Sequence, residues 1–403
     1  MRRFALGLLL LPVLAGCRTE ADAKPGTATR DSAGVRIVEH HGGESEIAWR
    51  VADRPELDLT GAEAGKGPGL YQVMGAVRLG DGRIVVANGG TSTLEIFGAD
   101  GAHQRSVGRA GDGPGEFRAL SWVGRFAGDS IAAWDSGTGR LSVFTPAGDF
   151  ARSVAPAQPL GIFPRAEGAL DGGALLLALH QPSLGMSATE GVHVQRDTIS
   201  LAVLRPDGAV AVLGRFPGSE VLASGNPAGG LMMMPLPFGR ATIAAGSGGR
   251  VYVADGDRWE IAEYAPGGGV RALVRADREL QPVTPADVRA YRERLVTLGA
   301  ENNGAIARQH ARMLDRAPYP KQKPAITGLL VDAHGNLWVE SPESGEGTLA
   351  RGWTIVSPDG RMLGRARKPD ALTVHQVGDG WLIGTATDGE IEHVRLYRIT
   401  PTH

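Results

Sequence analysis

The sequence predicts an all-β fold: a closed ring of six four-stranded units with a small helical insertion. Three observations predict it. A turn followed by a short apolar run recurs six times. An alternating hairpin pattern follows most copies. Glycine (59) and proline (25) make up about a fifth of the 403 residues, as many short strands joined by tight turns require.

The recurring run reads DGRIVVAN (81–88), GDSIAAWD (128–135), DGGALLLA (171–178), GGRVYVAD (248–255), HGNLWVE (334–340) and DGWLIGT (379–385). Aligned on the first apolar residue, the copies begin at Ile84, Ile131, Ala174, Val251, Leu337 and Leu382. The spacings are 47, 43, 77, 86 and 45 residues. The hairpins that follow are LEIFGADGAHQRSV, LSVFTPAGDFARSV, LAVLRPDGAVAVLG, IAEYAPGGGVRALV and WTIVSPDGRMLGRA. Four strands in about 45 residues is the size of a propeller blade. The sixth unit ends one strand short, at HVRLYRITPTH. GVRIVEH (34–40) resembles GVRALV (269–274), the last strand of the fourth unit. It is expected to supply the missing strand and close a six-bladed β-propeller from the N-terminal side. Closure removes the open sheet edges that template aggregation.

Two glycine-rich stretches, GKGPGLY (65–71) and GDGPGEF (111–117), have the look of phosphate loops. Both fall between units, where the chain must cross from one sheet to the next. Lys66 is followed by Gly67, not by Ser or Thr, and a strand-like run, YQVMGAVRL, comes next where a phosphate loop needs a helix. A crossing role is expected.

Two intervals exceed one unit. The first holds a polar segment, HQPSLGMSATEGVHVQRD (180–197), and a long link, VLASGNPAGGLMMMPLPFGR (221–240). Its Met232, Met233 and Met234 either pack on a blade or offer an adaptable surface. The second holds a helical insertion over about 284–316. Thr284-Pro285-Ala286-Asp287 is a helix start. Val288, Tyr291, Leu295 and Leu298 share one face, Asn302-Asn303-Gly304 breaks the helix, and Ile306, His310, Met313 and Leu314 form a second face.

Residues 1–16 read as a targeting segment, 17–33 as a flexible tether and 34–403 as the propeller. Arg2 and Arg3 precede an apolar run, Phe4 to Leu14, that is too short to span a bilayer. Leu14-Ala15-Gly16-Cys17 follows, and Cys17 is the single cysteine, which suits an oxidising compartment.

The L-A-G-C stretch resembles a bacterial lipobox. With the repeated units and the GxGPG linkers, the chain resembles bacterial six-bladed β-propeller lipoproteins, its units similar to those of NHL-repeat and TolB-like propellers. The resemblance implies acylation of Cys17, a lipid anchor in the membrane and a place in the cell envelope. Arg18 stands where lipoproteins kept in the inner membrane carry Asp, which implies the outer membrane. Such propellers host hydrolases, lyases, dehydrogenases and binding modules alike, so no activity is implied.

The net charge of −2 and the scattered arginines exclude a nucleic-acid partner. No HExxH, paired cysteines or GxSxG is present, and no catalytic residue, metal site or cofactor is expected. Near the starts of the first strands of the units stand Gln72, Arg118, Arg165, Arg240, Thr327 and His375. Arg118, Arg165 and Arg240, with His375, would form an anion site if they converge on the central channel, because guanidinium groups suit carboxylate and phosphate. Each arginine has an alternative in a neighbouring acid such as Glu116 or Glu167. The function expected is a monomeric, non-catalytic binding or scaffold module, with a protein partner or a small anionic ligand at the channel. The alternative is a hydrolase or lyase acting there.

Overall fold

The structure, a computed structural model, describes residues 26–42, 46–60, 69–181, 191–225, 231–302, 304–343, 349–388 and 391–402. The targeting segment, Cys17, the tether as far as Pro25, and Gly65, Lys66, Gly67 and Pro68 of the first glycine-rich stretch lie outside the described residues. So do the side chains of Leu298 and Ile306.

Strands dominate, and antiparallel meanders build the sheets. The first sheet runs Val73–Arg78, Ile84–Asn88, Thr93–Phe97, His103–Val107. The second runs Leu120–Arg125, Ile131–Asp135, Arg140–Phe144, Phe150–Val154. Later meanders begin with Ile162–Leu170, Ile243–Ser247, Gly328–Val331 and Thr373–Val377. These opening strands are the inner strands. Each lies against the next, and the last lies against the first. The arrangement is that of a β-propeller.

The core is divided among the interfaces between neighbouring sheets. Val85, Phe117 and Ile131 belong to the cluster between the first two sheets. Ala76, Ile84, Ile383 and Val394 belong to the cluster between the last meander and the first. The inner strands are close-packed. A Cβ built on Gly168 would stand 2.1 Å from the carbonyl oxygen of Gly246 on the neighbouring inner strand, so only glycine fits there.

The sheets depart from uniform four-stranded units. The third gains a fifth strand, Leu231–Pro235, and the fourth has six strands. The last two meanders are joined by Ile47–Val51, which pairs with Met362–Arg367 on one side and Ile391–Pro401 on the other. GVRIVEH does not close the last meander. As strand Val35–His41 it lies parallel to Val270–Ala276, with Ile37 opposite Leu273. It therefore extends the very strand it resembles, and burial of Ile37 and Val38 holds it there. Closure falls to Leu57–Leu59, whose Leu57 and Leu59 pair with Leu396 and Val394. Gly26–Ser32, expected within the tether, is a strand paired with Val35–His41. The turn between them, Ala33-Gly34, has φ of 53° and 80°, the left-handed pair a tight hairpin needs.

The helices are α1 (Pro285–Asn302) and α2 (Gly304–Asp315). Thr284 and Asp287 exchange hydrogen bonds at the start of α1: Asp287 N donates to Thr284 Oγ1 (3.2 Å) and Thr284 N to Asp287 Oδ2 (2.9 Å). Met313 and Leu314 pack with Leu222, Met234 and Leu236, which seats the helices on the third sheet. Met234 is buried and Met233 exposed, as strand alternation dictates.

Candidate functional site at the centre of the ring

The second halves of the inner strands and the turns that follow them enclose a cavity of about 700 Å³. Arg78, Arg125, Glu167, His375 and Gln376 are among its polar walls. Two of these come from bulges. Between Ala166 and Gly168 the pairing slips by one residue, leaving Glu167 as the extra one. Between Val374 and Gln376 it slips again, leaving His375. A bulge turns an extra side chain out of the regular alternation and re-aims it.

The bulged groups are shifted in opposite directions. Burial pushes the Glu167 carboxyl up, against the pull of Arg165, whose Nη2 donates to Glu167 Oε1 at 2.8 Å. Burial pushes His375 down to about 4, so its imidazole is neutral at pH 7. His375 Nε2 shares a 2.7 Å hydrogen bond with Thr385 Oγ1.

Arg78 supplies a cation to a wall that also carries Asp81, Asp171, Asp332 and Asp379. Its guanidinium lies 5.1 Å from the centre of the Trp381 indole. Its backbone N–H donates to Gln376 Oε1 at 2.7 Å. Arg125, the other arginine of the wall, is paired with Asp129 at 3.0 Å. Among the described residues no carboxylate is paired with Arg78, and its Nε is buried without an acceptor. Also among the described residues, no group of three or more His, Cys, Asp or Glu stands together as a metal-binding set.

The four residues singled out from the sequence are not brought together. His375 lines the cavity, but uncharged. Arg118, Arg165 and Arg240 lie outside its lining, because they sit at the starts of inner strands whose ends form it. Each meets an acid. Arg118 Nη2 donates to Asp112 Oδ2 at 2.6 Å, with 62% of its side chain exposed. Arg165 is held by Glu167. Arg240 is held by Glu220, through Nε at 3.0 Å, and by Asp257. Sequence reasoning missed Arg78. The signal was its alignment with Arg125, each six residues before the first apolar residue of its unit's second strand.

The GDGPGEF loop uses its own polar groups. Gly113 N donates to Glu116 Oε2 (2.8 Å), Gly111 N to Phe117 O (3.1 Å), and Arg140 donates to the carbonyls of Asp112 and Gly113. Phe117 is buried in the core beyond it. The loop carries the chain from the first sheet to the second.

No family model matches the chain, and no curated protein matches it. Solved structures do. A protein of Bacteroides fragilis described as exported is 11% identical, with a TM-score of 0.47, over 91% of this chain and 100% of that one. A member of the DUF4221 family from Bacteroides vulgatus is 11% identical, with a TM-score of 0.49, over 89% and 100%. A streptogramin B lyase is 11% identical, with a TM-score of 0.39, over 88% and 100%.

Proposed function

We propose that this chain is a six-bladed β-propeller lipoprotein of the bacterial cell envelope, anchored in the outer membrane through Cys17. Its task is to bind a small ligand with an anionic group in the central cavity, without transforming it. The last two blades share the strand Ile47–Val51. The observation that carries the binding role is Arg78. A guanidinium in a cavity wall, stacked on Trp381 and paired with no described carboxylate, is set to receive a carboxylate or phosphate. Neutral His375 offers a hydrogen bond to the rest of the ligand without adding charge, and Glu167, whose carboxyl burial raises, stands beside it.

A ligand that binds only the folded state stabilises it by about 2.7 kcal/mol at a hundred times its dissociation constant. Succinate, citrate or phosphate is therefore expected to raise the melting temperature at fixed ionic strength, against a chloride control. Arg78→Gln removes the gain, and Arg118→Gln with Arg240→Gln keeps it. No gain from any anion, or a gain that survives Arg78→Gln, overturns the reading. The anchor has its own test: Cys17→Ser leaves the membrane fraction and takes up no labelled lipid.

A second reading, an enzyme of the channel, is favoured by one observation. Two titratable groups with opposite shifts face one cavity from bulges, an arrangement that suits acid–base work. Mass spectrometry of a bound anion after long incubation separates the two. Unchanged ligand supports binding alone, whereas conversion lost in Glu167→Gln and His375→Gln supports the enzyme.

A further inference from the structure

A second cavity, of about 480 Å³, lies towards the starts of the inner strands. Helix α1 contributes Tyr291 and Arg294, which lie one turn apart. The base of the helical insertion is fixed to the propeller by a buried pair: Lys323 Nζ donates to Asp287 Oδ1 at 2.9 Å, with 4% and 0% of the side chains exposed. The opposite wall comes from the segments around Ile243, Ile326 and Leu372. Leu236 and Phe238 add apolar surface, and the Phe238 ring lies 5.9 Å from that of Tyr291.

Among the described residues, the charges of this cavity do not balance. Arg351 and Lys368, both in its wall, share one carboxylate, Glu340. Arg351 Nη1 is 2.9 Å from Glu340 Oε1, and Lys368 Nζ is 2.6 Å from Oε2. Thr327 Oγ1 also donates to Oε1, at 3.1 Å. Glu340 is 8% exposed and its oxygens are filled, while the ammonium and the guanidinium keep N–H groups to spare. Lys323 is neutralised by Asp287. Asp370 and Arg294, the other charged residues described in the lining, are both exposed. Burial alone would raise Glu340, but Lys368 and Arg351 hold it below the ordinary glutamate value, so it stays charged and the wall keeps a surplus cation.

We infer that this cavity is a binding site, separate from the central one, for a monocarboxylate with a compact apolar body. The carboxylate lies against Lys368 and Arg351 and supplies the missing negative charge. The body fills the space between Tyr291, Phe238, Ile326 and Leu372. A cation in an apolar wall attracts an anion far more strongly than one in water does. The apolar body gains by leaving water, and the convergence of a few polar groups in an apolar cleft of this size is typical of small-molecule sites.

The test uses the full chain, 4-phenylbutyrate and the uncharged 4-phenylbutan-1-ol, titrated by calorimetry. The acid is expected to bind at least about tenfold more tightly than the alcohol, the scale of one charge-assisted hydrogen bond. Lys368→Gln weakens the acid about tenfold. Arg351→Gln, at a side chain 48% exposed, weakens it in the same sense and serves if Lys368→Gln does not fold. Glu340→Gln removes the competing carboxylate and tightens binding. In the Arg78→Gln background, which removes the central anion site, the acid still binds and Lys368→Gln still weakens it, which separates this site from the central cavity. Equal binding of acid and alcohol overturns the inference. So does the absence of saturable binding, a shift in the same direction for Lys368→Gln and Glu340→Gln, or loss of binding in Arg78→Gln.

Discussion

At the starts of the inner strands, Arg118, Arg165 and Arg240 are each closed off by an acid. At the ends of the same strands, Arg78 has no described carboxylate partner, and bulges turn Glu167 and His375 into the cavity. The two ends carry similar residue types and differ in what those residues are free to do. Three arginines look like more of a site than one. Yet a paired guanidinium has its charge already matched, and an exposed pair contributes little to either stability or binding. What marks the strand-end cavity is a guanidinium with no described carboxylate partner beside groups that burial has shifted.

The largest effect expected is at Gly168. Its lack of a Cβ lets the third and fourth inner strands touch, since any side chain would meet the backbone of Gly246 at 2.1 Å. Gly168→Ala forces those strands apart at the cavity's edge and should cost more than about 3 kcal/mol, or prevent folding. Gly69, just before the first inner strand, has open space where a Cβ would stand, with no atom within 4 Å, and no positive φ. Gly69→Ala should change stability by less than about 0.5 kcal/mol. Urea midpoints of the two variants measure the contrast, and equal losses would mean that the strand ends are not the tighter part of the ring.

The repeated strands and the start of α1 could be read from the chain because each has a local cause. Apolar runs after tight turns make buried strands, and Thr284 with Asp287 makes a helix cap. The partner of the last meander could not be read that way. GVRIVEH and LDL (57–59) are both short apolar stretches, and the choice between them rests on which interface each fills. The site was half legible. His375 was picked for its place on an inner strand, but its neutral state comes from burial that no spacing reveals. Arg118 was picked without Asp112, six residues earlier in the same loop, because only the fold of GDGPGEF brings the two together.

His375 gives a smaller effect with a definite sign. The folded chain holds it near 4, and its ordinary value is 6.5. Below pH 6.5 the unfolded chain takes up a proton that the folded chain refuses. Stability therefore falls as pH drops from 6.5 to 4 and levels off below that. The full change is no more than about 3 kcal/mol. Glu167 acts in the opposite sense. Its carboxyl is raised in the folded chain, so the contribution it makes is present at low pH and is lost as pH rises through the raised value. His375→Leu should flatten the acid slope of the urea midpoint, and Glu167→Gln should steepen it. Parallel slopes in the wild type and His375→Leu would show that the imidazole is open to water, and the contrast between the two strand ends would lose its electrostatic part.

The smallest effects belong to the paired arginines, and their order can be stated. Arg240 matters most of the three, because Glu220 is buried against it and also accepts from the Arg240 backbone N–H at 2.8 Å. Arg240→Gln leaves that carboxylate buried beside a neutral group and should cost about 1–3 kcal/mol. The loss should be insensitive to salt, since the pair is only partly open to solvent. Arg118 matters least. Both it and Asp112 are largely exposed, so Arg118→Gln should leave the urea midpoint where it was. Arg165 differs in kind, because its partner Glu167 lines the cavity. Arg165→Gln removes the cation that pulls the Glu167 carboxyl down, so burial acts unopposed and the carboxyl rises further. Its signature is a shift in the pH dependence of anion binding with little change in stability at pH 7. If Arg118→Gln instead abolished the anion-induced rise in melting temperature while Arg78→Gln kept it, the strand starts would hold the site and the strand ends would be scaffold.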